Sequence, residues 1–535
     1  MKRVAGLFLL SAGLIVVFWW WLGRPVPVTV NALGPGEKIE CLSYSPYRDG
    51  QTPLDLSTRI DPDRIDDDLR RLSAVTGCVR TYSVHQGLDQ VVPIAKTHGL
   101  KVLQGLWLGR DQEFNRKQIA AAIALTNQYP EVIRAVVVGN EVLLRGEMSA
   151  TALAEIIRSV KRQVPVPVTY ADVWEFWLRN RDLLAAVDFV TVHILPYWED
   201  FPIAADLAAD HVMSIRRQVG ASFPDKEILI GEVGWPSQGR MREGALPSPS
   251  NQARVLREVI AKAKQEQFQV NLIEAFDQPW KRRFEGTVGG YWGLFDGEKR
   301  EPKFAWDRPV SDHPRWKLGA AMGIVLSLTV FALAFAVQKR RSIENSSPRI
   351  WAGVTAIATI AGGLYGLTIE QAETESLGLG GTVRSLAFLC AAAGAPVIGA
   401  AALASGVPVP PFAQALGRRA QWPRDRLALA TSLALAIVTL LALQAALGLV
   451  FDPRYRDFPS AALTAAAAPF LILTITRGHT PGAWPMAERL GAATLIACAV
   501  YIVLNETFAN WQALWFAAAL TALSATLAAS RAARS

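Results

Sequence analysis

Two hydrophobic patterns divide the chain. Between residues 38 and 306, short β-branched runs alternate with helical patterns in which apolar residues recur every three or four positions. The eight predicted strands are 39–43, 78–82, 101–107, 135–139, 167–171, 188–193, 227–231 and 269–276. Eight strand-helix pairs favour an α/β fold of the (β/α)8 TIM barrel type. A doubly wound open sheet is the alternative, but it usually has fewer units and a phosphate-binding glycine loop, which this sequence lacks.

Long apolar runs flank this region. Residues 4–22 form the first run, which ends in three tryptophans, and seven more follow at 318–337, 351–369, 382–405, 427–450, 459–476, 490–504 and 511–529. Such runs are typical of membrane-spanning helices. The first is longer than the apolar core of a cleaved signal peptide and its tryptophans suit the membrane interface, so we interpret it as a signal anchor.

These patterns predict four parts. They are an N-terminal transmembrane anchor at 1–23, a linker at 24–37, the barrel domain at 38–310, and a seven-helix, all-α membrane domain at 318–530. The barrel is large enough to hold a catalytic site, and the membrane runs contain almost no ionisable residue at mid-membrane depth. Transport usually requires such residues, so anchoring or docking onto a membrane partner is favoured over transport.

Charge supports a membrane topology. The net charge is +8, and basic residues cluster in alternate connections at 339–349, 418–426, 477–489 and 531–534, whereas the connection at 370–375 is acidic. The positive-inside rule then predicts that both termini lie in the cytoplasm and that the barrel lies outside the membrane. The expected partner is therefore a lipid bilayer, and no nucleic-acid partner is predicted.

The four cysteines, Cys41, Cys78, Cys390 and Cys498, form no CxxC motif or Cys/His cluster. We therefore predict no metal and no cofactor. Cys41 and Cys78 would lie on neighbouring strands, and they could form a disulfide if the barrel is extracytoplasmic. Two buried free thiols are the favoured alternative.

Two of the predicted strands end in a glutamate. The run 135–139 leads through Asn140 into Glu141, and the run 227–231 leads into Glu232 and a Gly-Trp-Pro turn. In a barrel, strands four and seven open at the same mouth. Two such carboxylates suit a retaining glycosidase, in which an acid protonates the leaving oxygen and a carboxylate about 5–5.5 Å away attacks the anomeric carbon. We expect Glu141 to be the acid/base, with its pKa raised by an anionic Glu232, and Glu232 to be the nucleophile.

The same stretches resemble the signatures of glycoside hydrolase family 17, the β-1,3-glucanases and related glucanosyltransferases. The nucleophile signature is at 231–237, in Gly-Glu-Val-Gly-Trp-Pro-Ser, and the acid/base signature is Gly-Asn-Glu at 139–141. Arg80 and Tyr82 resemble the family's Arg-x-Tyr after strand two, and Tyr197 resembles its active-site tyrosine after strand six. The segment 276–281, Phe-Asp-Gln-Pro-Trp-Lys, resembles Phe-Asn-Glu-x-x-Lys, with Asp and Gln in place of Asn and Glu. The resemblance implies a retaining enzyme acting on β-1,3-linked glucose.

Substrate contacts are expected from the family positions and from aromatic residues near strand ends, on which sugar rings can stack. The predicted substrate-binding residues are Asn140, which would contact the 2-hydroxyl of the donor sugar, Arg80, Tyr82, Tyr197, Trp235, Lys281, Trp280 and Tyr44. The expected substrate is β-1,3-glucan or its gluco-oligosaccharides.

The anchor and the multispan tail further resemble the bacterial membrane-bound branch of this family, associated with periplasmic β-(1,3)(1,6)-glucan synthesis. This implies an inner-membrane protein with a periplasmic catalytic domain that cuts β-1,3-glucan and rejoins it in a β-1,6 linkage or branch. Because the Gln-x-x-Arg-Trp motif of processive glycosyltransferases is missing, a separate membrane glucan synthase is a candidate partner. The alternatives are a membrane-bound endo-β-1,3-glucanase and a non-catalytic glucan-binding scaffold for a synthase.

Overall fold

The computed structural model describes residues 2–28, 32–343, 347–477, 482–530 and 532–533. The chain forms two compact units, one made of Met1–Pro25 and Ser311–Ser535 and the other of Val26–Val310. The first helix, α1 (Lys2–Leu22), belongs to the first of these units. Part of the predicted linker, residues 29–31, lies outside the described residues.

The unit Val26–Val310 is built on a closed barrel of eight parallel strands, each paired with its neighbours in chain order. They are β1 (Cys41–Ser43), β2 (Cys78–Arg80), β3 (Lys101–Leu106), β4 (Ile133–Asn140), β5 (Val168–Val173), β6 (Val190–His193), β7 (Ile228–Val233) and β8 (Val270–Leu272). The ring closes by pairing of β1 with β8. The predicted (β/α)8 fold is thus confirmed.

Helices cover the outside of the barrel. They are α2 (Pro62–Ser73), α3 (Val91–Thr97), α4 (Gln112–Gln128), α5 (Ala150–Lys161), α6 (Trp174–Arg179), α7 (Ala208–Ser222), α8 (Pro249–Gln265) and α9 (Arg282–Gly289). α2 begins after Asp61, whose side chain accepts a hydrogen bond from the Asp63 amide, and Pro62 occupies its first turn. Ile65, Leu69 and Leu72 recur on one face of this helix and are fully buried.

The barrel lumen changes character from one end to the other. Alternation along the strands turns every second side chain inward. At the amino end these side chains form a small apolar cluster of Cys41, Cys78, Leu103, Ala135, Val137, Ala171 and Leu229. Nearer the carboxyl ends the same alternation presents the polar side chains of Ser43, Arg80, His193 and Asn271, all buried. The charged side chains among these lumen residues therefore lie at the carboxyl-end mouth of the barrel.

Cys41 and Cys78 form a disulfide, so the preference for two free thiols was wrong. The register pairs Leu42 with Val79, which sets the two preceding cysteines opposite each other with a Cα–Cα distance of 4.4 Å. Both side chains belong to the same lumen cluster, so their sulfur atoms meet. Strand pattern alone does not give this register, which is why the pairing was not predictable.

We expect replacement of both cysteines by serine to destabilise the barrel. The disulfide closes a loop with a sequence separation of 37 residues, and loop-closure entropy for that length corresponds to about 4 kcal/mol in the free energy of unfolding. The measurement is the thermal unfolding midpoint in detergent by near-UV circular dichroism, with Cys390→Ser as the control. A double variant that melts with the wild type would contradict the expectation.

The other unit is helical. Among the described residues, eight helices are long and apolar enough to cross a membrane. Besides α1 they are α10 (Trp316–Arg340), α11 (Pro348–Glu375), α12 (Gly378–Ala404), α14 (Arg426–Phe451), α15 (Ser460–Arg477), α16 (Met486–Glu506) and α17 (Trp511–Ala529), and the short helix α13 (Phe412–Leu416) precedes α14. Of the basic residues used for topology, Arg531 and Arg534 lie outside the described residues.

Helix α1 packs directly against α10 and α11. The Ser11 hydroxyl is hydrogen-bonded to that of Ser327 at 3.0 Å and accepts a hydrogen bond from Thr359 at 2.9 Å. The Trp19 indole donates to the Gly363 carbonyl at 3.1 Å. These hydrogen bonds between side chains and backbone of three helices hold the first helix in one register against its neighbours.

Candidate active site

The two predicted catalytic glutamates face each other at the carboxyl-end mouth. Glu141 follows the last residue of β4, and Glu232 lies near the end of β7. One carboxylate oxygen of each, together with a ring nitrogen of His193, lies within 4.8 Å of the other two. The Glu232 side chain is 6% exposed and that of Glu141 is 23% exposed. Glu141 is therefore the more accessible carboxylate, as expected of an acid/base that would contact both the leaving group and the acceptor.

The backbone before Glu141 explains the Gly-Asn-Glu sequence. Gly139 has φ +87°, and a Cβ there would lie 2.8 Å from Val142 Cγ2. Glu141 itself has φ +52°, a conformation that costs free energy in a residue with a side chain. Its amide donates to the Ala171 carbonyl at 2.8 Å, which ties the turn to β5. The reversal turns the carboxylate away from the strand direction and into the mouth.

Arg80 is the centre of the hydrogen-bond network. Its side chain is 1% exposed. Nη1 donates to the Gly231 carbonyl at 2.6 Å and to Glu232 Oε1 at 3.3 Å, and Nη2 donates to Asn140 Oδ1 at 2.6 Å. A Cβ on Gly231 would lie 3.3 Å from Nη1 and 2.4 Å from Thr191 Cγ2. Glycine before the nucleophile thus leaves the room that the guanidinium occupies.

A chain of hydrogen bonds through two hydroxyl groups also reaches Glu232 Oε1. Asn271 Nδ2 donates to Ser43 Oγ at 2.8 Å, and Ser43 is hydrogen-bonded to the Tyr82 hydroxyl at 2.7 Å. Tyr82 in turn donates to Glu232 Oε1 at 2.8 Å. Tyr82 and Arg80 therefore both donate to Oε1 of Glu232 and not to its other oxygen, Oε2.

The electrostatics of Glu141 differ from the expectation of a raised pKa. Burial raises the pKa of Glu141, but the hydrogen bond from His193 and the positive charges of Arg145 and Arg80 lower it by more. His193 Nδ1 lies 2.8 Å from Glu141 Oε1. The resting pKa is therefore below the usual value, because the expectation considered Glu232 and not the donors around the acid.

The barrel is similar to several known proteins. Residues 41–293 match the family model described as the BtgE/BtgC glycoside hydrolase domain. A glucan 1,3-β-glucosidase of Candida albicans is 28% identical over 258 residues, which are 43% of this chain and 82% of the relative. A crystal structure of a family 17 β-1,3-glucanosyltransferase from Rhizomucor miehei aligns with a TM-score of 0.44 and 25% identity over 50% of this chain and 95% of that chain. An active-site mutant of the R. miehei enzyme, in complex with laminaritriose, aligns with a TM-score of 0.45 and 24% identity over 51% and 98%.

The match of residues 41–293 to this glycoside hydrolase domain bears out the predicted family for the barrel, and with it the prediction of a retaining glycoside hydrolase or transglycosylase family. The individual site residues and the membrane-bound branch are not tested by these matches, and both stay predictions.

In this barrel, Lys281 binds another carboxylate near the site, that of Glu274. Its Nζ donates to both oxygens of Glu274 at 2.9 Å. Burial raises the pKa of Glu274 to about 7, against the lowering effect of Lys281. Burial also raises the pKa of Glu285 to about 7. The negative charges of Glu141 and Glu232 raise it as well, whereas the positive charge of Lys281 lowers it. A cation between these acids reduces the negative charge at the mouth.

The predicted aromatic residues differ in exposure. Tyr197 and Trp235 are fully buried, and their polar atoms donate to the carbonyls of Arg240 at 2.9 Å and Leu246 at 3.1 Å. Tyr44 is also buried, and its hydroxyl donates to Asp68 at 3.1 Å. Trp280 is only half-buried. Arg80 and Tyr82 thus contact Glu232 directly and Asn140 contacts Arg80. Tyr44, Tyr197 and Trp235 contact other groups, and Trp280 lies beside Lys281.

Asp277 and Gln278, the two positions at which 276–281 departs from the pattern Phe-Asn-Glu-x-x-Lys, contact groups outside the pair of glutamates. Asp277 Oδ1 accepts hydrogen bonds from Lys303 Nζ at 2.5 Å and from the Gly293 amide at 2.9 Å. Gln278 Nε2 donates to the Ser45 carbonyl at 2.8 Å. Both side chains therefore connect the β8 loop to neighbouring loops.

Sequence reasoning missed several charged residues of the site: His193, Arg145, Asp172, Glu274 and Glu285. Arg145 donates to the Asn140 and Leu108 carbonyls, and its guanidinium lies 4.1 Å from the Trp107 ring centre. His193 ends its strand as Asn140 does, so the same rule of polar residues at strand ends would have found it. The trio of Glu141, His193 and Glu232 is close enough to share a cation, but the Arg80 guanidinium already contacts two of its members and opposes a further positive charge.

Proposed function

We propose that the chain is a membrane-anchored retaining enzyme that cleaves β-1,3-glucan and transfers it to a glucan acceptor. The observation that carries this proposal is the pair Glu141 and Glu232, with carboxylate oxygens within 4.8 Å of each other. Retaining enzymes keep their two carboxyl groups about 5–5.5 Å apart, whereas inverting enzymes need about 6.5–9.5 Å to admit a water. This separation favours a covalent glycosyl intermediate.

In the proposed cycle, Glu232 Oε2 attacks the anomeric carbon while Glu141 gives a proton to the leaving oxygen. Glu141 then removes a proton from the acceptor hydroxyl, which attacks the intermediate and releases Glu232. Arg80 occupies Asn140 Oδ1, so the Nδ2 group of Asn140 is the one available to the 2-hydroxyl of the donor sugar. A bound glucan would cover Glu141, and this added burial would raise its pKa toward the range that an acid needs.

The substrate class rests on the relatives. The Candida albicans relative is named a glucan 1,3-β-glucosidase and aligns over 82% of its own length. A β-1,3-linked glucan is therefore the substrate that we propose for Glu141 and Glu232. The half-buried Trp280 and Phe284, which is 50% exposed, lie on the β8 side and offer apolar faces to a sugar chain.

The proposed location is the bacterial inner membrane, with the barrel in the periplasm and both termini in the cytoplasm. Eight apolar helices support anchoring in a membrane. The Cys41–Cys78 disulfide supports an oxidising compartment for the barrel. A synthase that supplies the β-1,3 chain is the proposed partner.

Transfer and hydrolysis differ only in the acceptor. The rings of Trp198 and Trp292 lie nearly parallel, at 14° with centroids 6.4 Å apart, and Trp198 is half-buried. Trp198 follows the carboxyl end of β6, and an aromatic face on this side of the barrel would favour a second sugar over water, which supports transfer. A non-catalytic scaffold would need neither catalytic glutamate, and both are present with their hydrogen-bond partners.

The test uses the detergent-solubilised full chain and a Glu232→Gln control with an end-labelled β-1,3-gluco-oligosaccharide. Products longer than the substrate, with new β-1,6 bonds, are expected from the wild type only. Products that are all shorter would make the protein an endo-β-1,3-glucanase. If neither protein changes the substrate, the catalytic proposal is overturned and the scaffold is favoured.

A further inference from the structure

His193 lies between the two glutamates and touches the acid/base. Its side chain is fully buried, Nδ1 is 2.8 Å from Glu141 Oε1, and Nε2 is 3.6 Å from Glu232 Oε1. The register pairs His193 with Glu232 on β7 and with Val173 on β5. The imidazole therefore has a fixed place in the lumen, between the carboxyl ends of β4 and β7.

Arg80 determines which ring nitrogen of His193 carries the proton. Arg80 Nη1 lies 3.3 Å from His193 Nε2, and a guanidinium can only donate. Nε2 must then accept, so the proton is on Nδ1, where it is donated to Glu141 Oε1.

The hydrogen bond occupies one of the two Glu141 oxygens. With Oε1 accepting from His193, a proton on the carboxylic acid belongs on Oε2, and the same oxygen must later take the acceptor's proton. We propose that His193 is a positioning residue that selects Oε2 of Glu141 as the oxygen that gives and takes the proton in both halves of the reaction. This inference rests on the proposed function of Glu141.

The charged and titratable groups that face His193 come from four strands. They are Arg80 on β2, Glu141 after β4, Asp172 on β5 and Glu232 on β7. Burial raises the pKa of Asp172 to about 6. Loss of the Nδ1 donor would remove one of the interactions that lower the pKa of Glu141. The basic limb of the pH profile, where the acid is lost, would then move to higher pH.

The test compares His193→Leu, which lacks a donor, with His193→Asn, whose amide can reach the Nδ1 position. Each variant is assayed on a β-1,3-gluco-oligosaccharide and on a dinitrophenyl β-glycoside of the same sugar, whose leaving group needs no acid. We expect His193→Leu to lower kcat/KM on the oligosaccharide about 100-fold and on the dinitrophenyl substrate less than about 5-fold. His193→Asn should recover most of the oligosaccharide activity, and only the leucine variant should shift the basic limb upward.

Equal losses of His193→Leu on both substrates, or equal behaviour of the leucine and asparagine variants, would overturn the positioning role. Near-UV circular dichroism of both variants checks that the barrel is folded. If the wild type turns over neither substrate, the proposed function itself fails, and the inference fails with it. If the wild type is active and His193→Leu loses activity equally on both substrates, only the proposed role of His193 is overturned.

Discussion

Glu232→Gln is expected to lower kcat/KM on a β-1,3-gluco-oligosaccharide by about 10⁴-fold, equivalent to about 5.4 kcal/mol of transition-state stabilisation. The amide keeps the size of the side chain and can still accept from Tyr82 and Arg80, which contact Oε1 at 2.8 and 3.3 Å. It cannot form the glycosyl ester, because it lacks the negative oxygen that attacks the anomeric carbon. The loss should therefore be chemical, with folding intact.

A matched control is available on the same strand. Glu227 precedes β7 at its amino end and is exposed, so Glu227→Gln should keep wild-type activity. Small anions separate the nucleophile from the acid/base. With an activated substrate, azide should rescue Glu232→Ala by attacking the anomeric carbon directly, which gives an inverted product. Azide should rescue Glu141→Ala through the intermediate, which gives a retained product. A retained product from Glu232→Ala would contradict the assignment of Glu232.

The barrel could be predicted because its strands are buried on both faces and read as continuous apolar runs. The ends of the strands were less predictable. β8 was expected at 269–276 and forms only Val270–Leu272. Beyond it the Glu274 amide donates to the Trp292 carbonyl at 3.2 Å and the Ala275 amide to the Ser43 carbonyl at 2.8 Å. The apolar pattern continues there, but the chain has left the β7–β8 ladder to build the rim of the mouth.

The two glutamates could be predicted because each follows a β-branched run that ends in a glycine, Glu232 directly and Glu141 after Asn140. The interactions that tune them could not, since these depend on register. His193 is recognisable in the sequence as a polar strand end, but its partner Glu232 becomes apparent only when β6 is aligned with β7. Glu274 meets Lys281 only because the segment after β8 leaves the ladder. The charges around Glu141 are therefore a property of the assembled barrel, which is why the expected direction of its pKa was wrong.

Arg80→Lys is the second large expected effect, a fall in kcat/KM of about 10³-fold. Lysine keeps the positive charge beside Glu232 but replaces a planar fork by a single ammonium, which cannot reach Asn140, His193 and Glu232 together. Arg80 contacts them at 2.6, 3.3 and 3.3 Å. Loss of two hydrogen bonds that involve a charged group corresponds to about 3–6 kcal/mol. Arg134→Lys, at the amino end of β4, is the control and should keep wild-type activity.

The unfolding midpoint distinguishes the two roles of Arg80, as a positive charge and as a planar donor of several hydrogen bonds. Arg80→Lys keeps a cation beside the buried Glu232 and should unfold near the wild-type midpoint. Arg80→Met leaves that carboxylate without its cation, so its unfolding midpoint should fall by an amount equivalent to about 3–5 kcal/mol. Equal midpoints in the lysine and methionine variants would show that Arg80 acts only by orienting Asn140 and His193. Tyr82 would then be the main hydrogen-bond partner that holds Glu232 in place.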